Sequence, residues 1–208
     1  RMTPPLNSGQ AIPGLTTGRG IGIIDTMVLP RVCDAVGLLA GAPAWTTADQ
    51  EGLVAWFRAY LTWLRTSPLA LDEAGQANNH GTYYDLQVVS YALFGGETAA
   101  AREVLEAARE RRLASQIEPD GSQPRELART KSFSYSAMNL KGFCDLAALG
   151  EKVGVDLWRY ATPDGRSIQQ AFEYLLPYAD PRRPWPHPQL GDAHAAATLA
   201  PLLRRAER

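Results

Sequence analysis

The sequence is short of the residues that usually mark a metal or redox centre. Its 208 residues include three histidines and two cysteines. Cys33 and Cys144 stand far apart in apolar helical patterns with no C-x-x-C, so they read as buried free thiols and not as a disulfide framework. No H-E-x-x-H, zinc spacing or calcium loop occurs, which leaves no metal and no cofactor to expect. The absence of G-x-S-x-G argues against a serine hydrolase. No apolar run reaches the ~18 residues needed to cross a bilayer, which gives no membrane partner. Lys and Arg total 21 against 22 Asp and Glu, a formal charge of −1, so nucleic acid is not indicated. Gly18, Gly20 and Gly22 fail as a dinucleotide loop, because no strand precedes them and no βαβ pattern follows. No secretory leader is visible, and the opening RMTPPLNSGQ resembles neither a native start nor a domain start. An N-terminal portion is therefore expected to be missing, with residues 1–208 forming one domain.

Clear period-2 alternation is also lacking, so the fold class expected is all-α. Residues 1–26, rich in Gly, Pro, Thr and Asn, read as an extended loop. Helical spacing starts near Leu29, with Pro30 in a first turn and Gly41 as a stop. Thr47 is a candidate N-cap for a long helix in which Leu53, Trp56, Phe57, Tyr60, Leu61 and Leu64 recur at threes and fours until Pro68. HGTYYDLQVVSYALFGG follows, then ETAAAREVLEAARERRLASQI with a strongly charged outer face. The Pro-Asp-Gly turn near 119–121 leads to SYSAMNLKGFCDLAALGEKVG and SIQQAFEYLLPYA. A last helix near LGDAHAAATLAPLLRRA contains Pro201. Helical hairpins joined by short turns suit an incomplete (α/α) toroid around a cleft, in preference to a simple bundle.

Polar side chains gather at three loci: Asn78-Asn79-His80, Arg125–Leu140 and Arg182–His194. At the first, Asn79 is the expected N-cap, and His80, Tyr84 and Gln87 fall on one helical stripe. A polar stripe that starts at a positive helix end is a fair place to receive a carboxylate. At the second, Arg129 and Tyr135 would point roughly 240° apart on a continuous helix. They share a cleft only if the chain bends, with Ser132 or Ser134 capping a new helix. Tyr135 and Asn139 then lie one turn apart on one face. In the alternatives the asparagine only caps, Tyr135 packs in the core, and Arg129 pairs with Glu126. The third locus, with Trp185, His187 and His194, has no assigned role.

Asn, His, Arg and Tyr together suit β-elimination from a uronic acid. The C5 proton lies beside a carboxylate and is only weakly acidic. Hydrogen bonds from Asn or Arg neutralise that carboxylate and make the carbanion-like state accessible. A base then takes the proton and an acid protonates the departing glycosidic oxygen. Tyrosine can do both if a nearby cation lowers its pKa from about 10. A glycoside hydrolase would instead need two carboxylates across a cleft, for which Asp85, Asp120 and Glu126 are candidates in no recognisable pairing. A non-catalytic sugar-binding module would show a damaged Asn-His/Arg-Tyr set, and the set here is intact.

The segments QAIPGLTTGRGIGIID, WFRAYLTWLRTS, NNHGTYYDLQ, ELARTKSFSYSAMNL and GVDLWRY together resemble the alginate lyase family of polysaccharide lyases. NNH and RT-x-S-x-S-Y-S-x-x-N-L, about fifty residues apart in that order, are its specific motifs. The resemblance implies an (α/α) toroid, a periplasmic or secreted enzyme, metal-independent elimination, and an anionic polysaccharide as partner. By motif, Asn79 matches the carboxylate-neutralising asparagine and His80 the catalytic histidine. Arg129 matches the arginine beside the catalytic tyrosine, and Tyr135 matches that tyrosine. Arg19 in GRG, with Asn78, Tyr84, Gln87 and Asn139, is a candidate for binding substrate. Polymannuronate, polyguluronate and polyglucuronate are all open as the polymer.

Overall fold

A computed structural model describes residues 3–206, so Arg1 and Met2 of the opening segment lie outside the described residues, as do Glu207 and Arg208. Among the described residues there are nine α-helices and no strand, only three isolated bridges. The helices are α1 (Pro30–Leu38), α2 (Thr47–Thr66), α3 (Pro68–Ala74), α4 (Asn79–Phe94), α5 (Thr98–Ala108), α6 (Pro124–Leu127), α7 (Ser132–Glu151), α8 (Ile168–Leu175) and α9 (Ala195–Ala206).

The central element is α4, which packs against α1, α2, α3, α5 and α7. It is covered on all sides: Leu86, Val88, Val89, Tyr91 and Ala92 are buried, and so are Thr82, Asp85 and Gln87. Its aromatic contacts run into α2, where the Phe57 and Tyr60 rings lie 4.9 and 5.6 Å from Tyr91. From α7, Phe133, Leu140, Phe143 and Leu146 complete the core. Each large apolar side chain buried in this way contributes about 1.5–3 kcal/mol. Thr82 approaches α7 so closely that a Cβ on Gly142 would stand 2.8 Å from its Cγ2.

Several local expectations shift. The N-cap of α2 is Thr46, not Thr47, because Thr46 and Asp49 form a reciprocal capping box. Pro68 ends α2 by holding Ser67 extended, and then opens α3 as its first residue. Residues Gly20–Thr26, expected to be loop, form a 3₁₀ helix against α3. The glycines there serve close approach: a Cβ on Gly20 would sit 2.2 Å from Asp72 Oδ2, and one on Gly22 2.3 Å from Gly9 O. After α5 the helix continues as a π-helical stretch, Arg109–Ala114. Arg112, expected on a charged outer face, is turned inward there and is buried. The turn before α6 depends on Gly121, at φ +85 and with its Cβ position 2.0 Å from Gln170 O.

Candidate active site

The first motif sits at the N-terminus of α4. Asn78, not Asn79, is the N-cap, and its side chain accepts from the His80 N–H at 3.1 Å. Asn79 is therefore the first helical residue, and it is fully buried. Its backbone N–H donates to Glu126 Oε1 at 2.6 Å, and its Nδ2 donates to both Glu126 oxygens at 2.9 Å. An N–H that the helix leaves without a partner is thus capped from α6. Burial pushes the Glu126 carboxyl up, opposed by the Asn79 bonds and by the nearby Arg129 and His80.

His80 lies one residue further along, with its side chain 13% exposed. Its Nδ1 is 3.0 and 3.1 Å from the two oxygens of Glu73, which is fully buried on α3. Burial raises the Glu73 pKa, and its bond to His80 opposes the rise. When ionised, that carboxylate can only accept, so Nδ1 carries the hydrogen and Nε2 is the free ring nitrogen.

Arg112 holds α3 in place. Its guanidinium bonds Asp85 through Nε at 2.8 Å and donates to the carbonyls of Ala74, the last residue of α3, and of Gln76 just beyond it. Gly81 of α4 lies against this bracket: a Cβ there would stand 2.0 Å from Gln76 O and 2.3 Å from Arg112 Nη1.

The second motif reaches the same place through α6 and α7. The Arg129 guanidinium carbon lies 3.9 Å from the centre of the Tyr135 ring, a cation–π contact between two half-buried side chains. Arg129 does not form an ion pair with Glu126, whose oxygens face Asn79. The Tyr135 hydroxyl has no hydrogen-bond partner among the described residues. The bend between Arg129 and Tyr135 comes from the break between α6 and α7. It owes nothing to a serine cap: the N-cap position is Lys131 without a side-chain bond, and Ser132 Oγ donates to Pro188 O at 2.5 Å.

Glu126 thus links the two motifs, touching Asn79 directly and lying near His80 and Arg129. Three residues expected at the substrate are placed in the interior instead. The Tyr84 hydroxyl donates to Leu64 O at 2.8 Å, and Gln87 accepts from Thr26 at 2.6 Å and from Tyr91 at 3.1 Å. Asn139 donates to Gln116 and Gln123, each at 2.9 Å. The helical stripe from His80 faces protein because α4 is enclosed all round. Arg19 donates to Gln10 O at 3.3 Å and Gln10 Oε1 at 3.0 Å, which ties the 10–19 loop. Asp85 is locked between Arg111 and Arg112 and cannot serve as a hydrolase acid. Among the described residues no three His, Cys, Asp or Glu side chains gather as a metal site. A mainly apolar groove of about 770 Å³ between α1, α4, α7 and α9 is lined by Ser134 of the second motif but by none of Asn79, His80, Arg129 and Tyr135.

Sequence reasoning missed Glu73 and the whole of α3. The signal was present, since Ser-Pro opens the segment and Gly75 closes it, with a glutamate seven residues before His80. Glu126 was weighed as a hydrolase acid or as a partner of Arg129, not as the partner of Asn79.

Among curated proteins no match is found. The chain resembles the crystal structure of an alginate lyase from Bacteroides ovatus with a TM-score of 0.95 and 38% sequence identity. The match covers 99% of this chain and 55% of that one, so the chain spans about half the length of its structural relative. The helical fold is accordingly that of the (α/α) toroid. The family model for alginate lyase matches residues 1–185, and with it the chain belongs to the alginate lyase family.

Proposed function

We propose that this chain carries the catalytic residues of a polysaccharide lyase that cleaves a polyuronate by β-elimination. The observation that supports this most is the Arg129–Tyr135 stack beside the Glu126-held end of α4. The guanidinium stacks on the ring face and leaves the hydroxyl without a protein partner among the described residues, so that oxygen is open to a substrate. Reacting as its phenolate, Tyr135 takes the C5 proton, the C4–O bond breaks as the C4–C5 double bond forms, and the phenol so formed gives that proton to the departing oxygen, which regenerates the phenolate. The His80 ring holds the uronate carboxylate, and Asn79, bonded to Glu126, fixes the end of α4 from which His80 projects. The polymer is mannuronate, guluronate or glucuronate. Such a substrate places the enzyme in the periplasm or outside the cell, as the family resemblance implies.

Tyr135→Phe tests the assignment in the full-length protein. It keeps the ring and its contact with Arg129 and removes only the hydroxyl. Loss of a proton-transfer group costs typically 10²–10⁴-fold in rate. The expected product is a folded protein that binds polyuronate and generates no near-ultraviolet absorbance. Near-full activity in this variant would move the base elsewhere, with His80 next in line.

A further inference from the structure

The polar locus 182–194 has no part in the chemistry above, yet it closes the N-terminus of α7. A helix leaves its first N–H groups without internal partners. In α7 they are satisfied by chain more than fifty residues further on. The Ser132 N–H donates to Pro188 O at 3.0 Å. The N–H groups of Phe133 and Ser134 both donate to Gln189 Oε1, at 3.1 and 3.4 Å. Gln189 Nε2 donates to Ser134 Oγ at 3.2 Å, and the Leu190 N–H to Thr130 O at 2.7 Å. Tyr135 is the first residue of α7 whose own N–H is held from within the chain leading into the helix, by Lys131 O at 2.9 Å. Everything between Lys131 and Tyr135 is held by this strap.

The strap is itself anchored. Trp185 Nε1 donates to Ser132 Oγ at 2.7 Å, and its ring meets Phe133 and Tyr178 edge-on at 5.1 and 4.7 Å. His187 Nε2 lies 2.9 Å from the Tyr174 hydroxyl. Gln189 therefore projects from a fixed backbone.

We infer that Gln189 is a positioning residue for Tyr135, capping the α7 N-terminus in trans so that the tyrosine stays stacked under Arg129. The inference rests on Tyr135 being the proton-transfer residue. Without the cap, the first turn of α7 can fray and the ring can drift from Arg129. A misplacement of about 1 Å at a reacting group can cost 10²-fold in rate.

The test compares Gln189→Leu with Gln189→Glu in the full-length protein. Leucine removes both acceptor bonds. Glutamate restores acceptors for the Phe133 and Ser134 amides and for the Ser134 hydroxyl, and its charge suits a helix N-terminus. Gln189→Leu should lower kcat roughly 10- to 100-fold with KM unchanged, while the melting temperature moves by only a few degrees. Gln189→Glu should restore most of kcat. A leucine variant with wild-type kcat, or a glutamate variant that fails to restore it, overturns the assignment. Amide hydrogen exchange at residues 132–135 gives a reading independent of turnover: faster in the leucine variant, protected in the glutamate variant. If the wild-type protein releases no unsaturated product from any of the three polyuronates, the lyase assignment falls. Exchange then decides on the cap alone, and equal exchange in all three proteins overturns it.

Discussion

Replacing Glu73 by glutamine separates its effect on His80 from its effect on the fold. The carboxylate is fully buried, and both oxygens lie within 3.1 Å of His80 Nδ1. Glutamine keeps an acceptor for the ring N–H and removes the charge. A hydrogen bond to a charged group contributes about 1.5–3 kcal/mol, against about 1 for a neutral pair. The difference, roughly 1–2 kcal/mol, acts wherever His80 gains positive character against the substrate carboxylate. At 1.36 kcal/mol per tenfold, kcat/KM should fall roughly 5- to 30-fold, read as the initial rate of near-ultraviolet absorbance on polyuronate. Stability should move the other way. The folded pKa of Glu73 is raised from 4.5 by burial. Its contribution to stability is therefore fully present below 4.5 and is lost as pH rises through the folded value. Glutamine has no such titration, so the melting temperature of Glu73→Gln relative to wild type should climb as pH rises from the acid range towards neutrality. A variant that keeps full kcat/KM refutes the coupling to His80. Parallel loss of activity and melting temperature at pH 7 would make Glu73 a structural residue only.

Two further substitutions probe the frame. Gly81→Ala would drive a methyl into Gln76 O and the Arg112 guanidinium, and breaking a buried ion pair costs about 3–5 kcal/mol. At roughly 2–4 °C per kcal/mol for a chain of this size, calorimetry should show a fall on the order of 10 °C, and an unchanged midpoint would refute the bracket around α3. Arg19→Ala should loosen the 10–19 loop, lowering the melting temperature by a few degrees with KM for polyuronate unchanged. A rise in KM with the melting temperature intact would instead return Arg19 to the substrate.

The helical class and the two motifs were legible in the sequence because they depend on local signals. Threes-and-fours spacing in α2 and α7, Gly41 and Gly121 at positive φ, and prolines at first turns are written within a few residues of where they act. What escaped depends on contacts between distant segments. The His80-Tyr84-Gln87 stripe is polar by any helical wheel, yet α4 is enclosed by five other helices, and a polar face then marks internal bonding and not a solvent-facing site. The same holds for Arg112, which a short π-helical stretch rotates out of the charged face its neighbours define. The caps on the two motif-bearing helices were hidden for a related reason. Local capping places Ser, Thr, Asn or Asp at the N-cap, and Asn78 obeys that rule. The next donor of α4, the Asn79 N–H, is closed by Glu126, 47 residues away. The first donors of α7 are closed by Pro188 and Gln189, 55 or 56 residues away. Each helix that presents a motif thus has its end held by another part of the chain. The relative placement of His80 and Tyr135 is accordingly a property of tertiary packing, which no window of sequence contains.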